Sequence, residues 1–579
     1  MHLARSMMRW CVGCVAVLFA LLALTATAQA ATPIVDYEVR RATPDAYEIT
    51  LRFQGDASGR STVRIPTDWA GAEHPERGID DVTVLTPGAR LEATDRPEVL
   101  RIVHRPRMRV VLRYRLRQIP DGELHVRWGT TYLPIIRPDH FEWIGWTTWV
   151  VPFDDETRVK VRVRFVDLPP DWTFASSFGL DRRGVTFEGR LLHFRESLFV
   201  GGDFRLLSRD VQGGRVVTAV RGAWPFTDDA LADRVQKIVD GARAFWRDDT
   251  QPDFLITLMP IAGPQYAMSR GGTGLTRSFA AWTTPVESLG ELDRLFTHEY
   301  FHTWNPSGLG TPAEPEALEY WFTEGFTDYY THLLRLRWRM MTLDHYAAAF
   351  DDVLKALAHL KENTLPNAEI GARFFSEGET IGKLPYWRGM LLAARWDAAI
   401  RASSKDRRSL DDAMRALRDE QQIGIERLDA ARIVRAMRQE GVFEAGDDVE
   451  RFIDRGALPV LDDTTLTSCI RIDTIADRGF DAGFNFEASL RTKRITDVDV
   501  DGPAYGAGLR DGQRLVSISL GRRTDIPATV GVEESDGSDR RVIEYIPLGM
   551  AITRQRVAIR DGLDDGQRAA CLAELGLPH

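Results

Sequence analysis

The residues of this chain best placed to do chemistry are His298-Glu299-Tyr300-Phe301-His302, an HExxH run. On a helix this spacing puts two imidazoles one turn apart on one face, with a carboxylate beside them. Neutral imidazoles bind Zn²⁺ well, and a catalytic zinc site adds one more protein ligand and keeps a position for water, whose pKa falls towards ~7. Glu299, adjacent but not a ligand, is then the general base. Upstream, Leu292, Leu295 and Phe296 form an apolar stripe at helical spacing, and neither Pro nor Gly interrupts from Glu291 to Asn305. The motif is therefore predicted to sit on a helix.

A third ligand must come from downstream. A metzincin would need Gly at position 305 and His at 308, but Asn305 and Gly308 stand there, which excludes that class. The alternative is a Glu from a following helix, with Glu314, Glu316, Glu319 and Glu324 as candidates. The first two lie in a Pro-punctuated loop, Thr311-Pro312-Ala313-Glu314-Pro315. Glu319 and Glu324 point about 140° apart on a helix, so one of them can face the metal. Glu324 is the choice, because Asp328 follows one turn later on the same face, where it can accept a hydrogen bond from the distal nitrogen of a metal-bound His.

HEYFHTWN followed by WFTEGFTDYY resembles the glycyl aminopeptidase family of gluzincin zinc metallopeptidases. The resemblance implies a thermolysin-like catalytic domain between an N-terminal β domain and a C-terminal PDZ domain. It implies one zinc ion per chain held by His298, His302 and Glu324, with Glu299 as base. Leu384-Pro385-Tyr386-Trp387-Arg388-Gly389 is similar to a Pro-Tyr-x-x-Gly turn of related aminopeptidases, in which the Tyr hydroxyl stabilises the tetrahedral intermediate; that role falls to Tyr386. A phenol is suited to it, since it can donate to an oxyanion as negative charge develops.

Two segments depart from the family, and both concern substrate binding. The family carries Gly-Gly-Leu-Glu-His before the zinc helix, with the Glu holding the substrate's α-amine. Here Gly271-Gly272-Thr273-Gly274-Leu275 stands instead, so an N-terminal ammonium loses its expected counter-charge. The family's Lys-containing run after Trp304-Asn305 is replaced by Pro306-Ser307-Gly308. Gly271 to Gly274 read either as a glycine-rich strand approached closely by an extended peptide or as a plain turn. Peptide or protein substrates follow from the family, with endopeptidase or short-peptide cleavage as the nearest alternative to aminopeptidase action. A peptide-binding scaffold with a non-catalytic metal site is the alternative from another class.

A chain of 579 residues is too long for one core. Its net charge of −10 argues against nucleic acid as a partner. Residues 1–30 read as a secretory signal: His2, Arg5 and Arg9 lead into an apolar run ending near Leu24, then Ala28-Gln29-Ala30. Export to the periplasm or outside the cell is the expectation, with no membrane span after cleavage and an uncleaved anchor as the alternative. Cys11 and Cys14 would be removed, leaving Cys469 and Cys571, which can pair in an oxidising compartment.

The fold expected is multidomain α+β. Short alternating runs such as Tyr47 to Phe53, Arg109 to Arg115 and Val159 to Phe165 predict a β-sandwich-like domain over 31–223. Trp143, Trp146 and Trp149 within it read as packing rather than a sugar platform. A mixed and helical, thermolysin-like domain spans 224–458, including a capping box at Ser409-Leu410-Asp411-Asp412. A PDZ-like β domain covers 462–562 and a tail 563–579. Gly483-Phe484-Asn485-Phe486 would be the PDZ loop whose backbone N–H groups receive a peptide terminus.

Overall fold

A computed structural model describes residues 32–119, 124, 130–261, 270–377, 381–424, 427–520, 526–533 and 539–577. The expected signal peptide, with Cys11 and Cys14, lies outside them. No helix among the described residues is long and apolar enough to cross a membrane. The chain divides into two compact units, Met1–Phe204 and Arg205–His579.

In the first unit a six-stranded sheet runs in the order Val185–Arg190, Arg158–Val166, Ile34–Thr43, Ala46–Gln54, Arg109–Arg117, Ile79–Val84. Strict alternation buries one face of each inner strand, for instance Tyr47, Ile49, Leu51 and Phe53, and leaves Glu48, Thr50 and Arg52 on the other. The buried face shares one core with a four-stranded sheet containing His140–Ile144 and Leu198–Gly202, the arrangement of a sandwich. Trp143 and Trp149 are fully buried in that core.

The second unit begins earlier than the expected boundary at 223/224. Arg205–Val211 and Gly214–Val220 form a hairpin whose second strand pairs in parallel with Phe254–Pro260, so both belong to the five-stranded sheet of the second unit. Their alternation looks like more of the preceding sandwich; only the parallel pairing, made through the crossover helix Asp228–Trp246, distinguishes them. Thr227 caps that helix, accepting from the N–H of Ala230 at 3.2 Å. The sheet continues through Ser278–Thr283 to its outermost strand, Arg270–Leu275, which runs antiparallel. Gly271 to Gly274 are thus in a strand, not a turn.

Helices fill the body from Leu289 to Glu440, and the Ser409–Asp412 capping box opens Leu410–Gln422. The C-terminal strands are not cut off as a separate unit. The antiparallel pair Ile470–Asp477 and Ile552–Ile559 packs on helix Leu343–His359, where Asp351 accepts from Arg554 at 2.8 Å and from the N–H of Val557 at 3.0 Å. Three further strands, Arg514–Ser519, Ala528–Glu533 and Arg540–Tyr545, enclose a small core around Val530 and Leu509. A Cys469–Cys571 disulfide, with Cα atoms 5.8 Å apart, ties the start of Ile470–Asp477 to helix Asp565–Glu574.

Candidate active site

The motif lies on helix Leu289–Phe301, opened by Ser288, whose hydroxyl accepts from the N–H of Glu291 at 3.4 Å. Leu292, Phe296 and Tyr300 are fully buried along one face, and Arg243 donates to the Tyr300 hydroxyl at 3.0 Å. Anchored on that side, the helix presents His298, Glu299 and His302 on the other. The two imidazoles stand at 87° with centroids 4.8 Å apart.

Glu324 sits at the junction of two short helical segments, Tyr320–Thr323 and Gly325–Arg337. Its Oε2 is 3.2 Å from His298 Nε2 and 3.5 Å from His302 Nε2. Ligand atoms of these three residues all lie within 4.8 Å of one another. Each imidazole is oriented by a partner on its other nitrogen. His298 Nδ1–H donates to Asp328 Oδ1 at 3.0 Å, and His302 Nδ1–H donates to the carbonyl oxygen of Asn305 at 2.7 Å. Both Nε2 atoms therefore point at the same space, and two imidazole nitrogens with one carboxylate make a donor set that suits zinc.

Asn305 does more than exclude a metzincin. Its buried amide donates to the carbonyls of Phe322 and Thr323 at 3.2 and 3.3 Å and to Thr327 Oγ1 at 3.1 Å. It thereby ties the turn that orients His302 to the residues bracketing Glu324. A backbone carbonyl has no side-chain signature, so spacing could not reveal this partner. Of the rival carboxylates, Glu314 and Glu316 are exposed. Glu319 is buried instead beside Ala430, where desolvation pushes its carboxyl up to about 7.

Without metal the site binds protons. Burial opposes a charge on His298, but hydrogen bonds to Asp328 and Glu324 outweigh it and raise its pKa to about 10. His302 is raised too, burial being outweighed by the Glu324 charge. Glu324 is held well below its ordinary value, against burial, by both histidines. A metal needs the neutral imidazole, so zinc uptake near neutral pH must expel the His298 proton. Apparent zinc affinity is expected to rise by about tenfold per pH unit for each proton displaced. Calorimetry in buffers of different ionisation enthalpy checks it; uptake without proton release contradicts it.

Tyr386 lies in the first turn of helix Leu384–Ser404, its ring nearly parallel to that of His298 with centroids 6.1 Å apart. Burial, then the charges of Glu324 and Asp328, push its hydroxyl well above the ordinary phenol value, so it stays a donor. Two glycines allow this approach. A Cβ on Gly389 would meet the Trp321 carbonyl oxygen at 1.8 Å, and one on Gly325 would meet Gly389 Cα at 2.5 Å. Backbone thus packs on backbone immediately after Glu324 and one turn after Tyr386.

The strand Arg270–Leu275 passes along the motif helix. A Cβ on Gly272 would lie 3.3 Å from Glu299 Cγ and Cδ, whereas one on Gly274 would meet His302 Cβ at 3.7 Å, an ordinary contact. Gly272→Ala is expected to displace the Glu299 carboxylate and lower kcat by about tenfold, with zinc content unchanged and Gly274→Ala near wild type. Steady-state kinetics on the two variants checks this; equal kcat values would contradict it.

In the Gly483–Phe486 segment two of the backbone N–H groups have partners within the chain. The N–H of Gly483 donates to Asp481 Oδ1 at 2.8 Å and that of Asn485 to the Thr496 carbonyl at 2.9 Å. Phe484 is buried. Asn485 caps helix Phe486–Thr492, accepting from the N–H of Ala488 at 3.1 Å. Gly483 and Asn485 thus hold their own turn.

A helix bearing His298, Glu299 and His302, with Glu324 from the following segment converging on the two histidines and an outermost strand alongside, has the arrangement of the zinc metallopeptidases. Within it, residues 291–369 match the M61 glycyl aminopeptidase family, a stretch that takes in His298, Glu299, His302, Glu324 and Asp328. Over that stretch the chain is similar to zinc-dependent aminopeptidases. Its fold is shared with a crystal structure of an aminopeptidase N family protein from Idiomarina loihiensis, at 13% identity and a TM-score of 0.71, covering 93% of this chain and 100% of that one. An M1 zinc metallopeptidase from Deinococcus radiodurans aligns at 14% identity and a TM-score of 0.47, over 74% of this chain and 95% of that one. No curated protein matches the chain by sequence.

Proposed function

We propose that the protein is an exported peptidase with one zinc ion per chain that removes residues from peptide N-termini. The observation that carries this is the convergence of His298, His302 and Glu324 within 4.8 Å, beside Glu299 and Tyr386. Zinc held there would supply Lewis-acid activation of water and of the scissile carbonyl. Glu299 takes the proton that water loses in attacking and passes it to the leaving amine. Tyr386 donates to the developing oxyanion. Asp328 and the Asn305 carbonyl keep both rings in the tautomer that leaves Nε2 free to bind metal. The Cys469–Cys571 bond supports an oxidising compartment, in keeping with export.

Endopeptidase action is the second reading, favoured by Gly274, where the resembling family carries Glu. A panel of peptides with free and blocked N-termini separates the two. Cleavage of free N-termini is expected to be favoured in wild type, and by about a further tenfold in Gly274→Glu, where one counter-charge is restored. Equal cleavage of blocked and free peptides by wild type would replace the aminopeptidase reading with the endopeptidase one.

A further inference from the structure

We propose that Arg294 is a positioning residue for the metal site, acting on His298 through Asp328. The inference rests on the reading that His298, His302 and Glu324 hold zinc. Arg294 precedes His298 by one turn of the motif helix, and its guanidinium lies 3.5 Å from Asp328 Oδ1. That same oxygen accepts the Nδ1–H of His298 at 3.0 Å. The Asp328 side chain is only 14% exposed and that of Arg294 40%, so a largely buried anion is joined to a cation that reaches solvent.

A buried carboxylate needs a counter-charge, and leaving one unpaired is costly. The groups facing Asp328 are His298, Arg294 and His332. His332 lies one turn beyond Asp328 on the same helix. Arg294 is the permanent cation of the three. It also joins the motif helix to Gly325–Arg337, the helix that begins directly after Glu324, and so bears on the placement of the third ligand as well.

Chelator-competition measurements of zinc affinity on the full chain test this, using wild type, Arg294→Met, Arg294→Lys, Asp328→Asn and the Arg294→Met/Asp328→Asn double variant. Asp328→Asn is expected to weaken zinc by about 10- to 100-fold. Arg294→Met should weaken it by about tenfold, with Arg294→Lys recovering most of the loss because the charge is restored. The double variant should bind no more weakly than Asp328→Asn alone, since the arginine then has nothing to act through. Unchanged affinity in Arg294→Met, or losses that multiply in the double variant, would overturn the proposal. If Asp328→Asn does not fold, the comparison of Arg294→Met with Arg294→Lys decides, and equal losses in the two overturn it. Wild type without zinc affinity would instead overturn the underlying metal reading.

Discussion

Glu299→Gln is expected to lower kcat by about 10³-fold, within the range a positioned general acid–base contributes, while the protein keeps its zinc. Glu299 is on the motif helix but outside the group of ligand atoms formed by His298, His302 and Glu324. Gln has nearly the same size and fits the same space beside Gly272, so only the capacity to take and return a proton is removed. Two readouts on one sample distinguish the outcomes. Lost turnover with retained metal locates the proton transfer at Glu299. Turnover within about tenfold of wild type would mean that another group does this work.

Gly389→Ala should cost about 3 kcal/mol or more of stability. The added methyl would fall 1.8 Å from a backbone oxygen, and backbone cannot rotate away as a flexible side chain would. Helix Leu384–Ser404 would have to separate from the Tyr320–Thr323 segment, carrying Tyr386 away from Glu324. Thermal denaturation and soluble yield report the first effect, and kcat of any folded protein reports the second. Gly290→Ala is the matched control, because a Cβ there meets nothing within 4 Å and alanine favours a helix. A Gly389→Ala protein as stable and active as Gly290→Ala would contradict the close crossing.

How much of this was legible in the sequence depended on whether the contact was local. His298, Glu299 and His302 share a face by helical spacing alone, and the same periodicity puts Asp328 one turn from Glu324. Glu324 and Glu319 were separable because five residues turn them apart, and Glu319 does face Ala430 instead. Contacts across long separations left no such trace. The Asn305 carbonyl acts through backbone, and the Arg294–Asp328 pair joins different helices. The hairpin Arg205–Val220 alternates like a sandwich strand, so only its parallel partner Phe254–Pro260 reveals which sheet it joins. Gly271 to Gly274 fit a turn as well as a strand until the pairing with Phe279 to Trp282 is seen. At Gly483–Phe486 the N–H groups of Gly483 and Asn485 are engaged by Asp481 and Thr496, contacts that the motif alone could not show.

The central claim is that His298, His302 and Glu324 together hold one catalytic zinc. Metal analysis of the purified, zinc-supplemented full chain, made alongside His302→Ala, tests it most directly. About one zinc per chain is predicted in wild type, as a single three-ligand site requires, with loss of that metal and of peptide hydrolysis in His302→Ala. Wild type without stoichiometric zinc, or His302→Ala that keeps both metal and activity, would contradict the account.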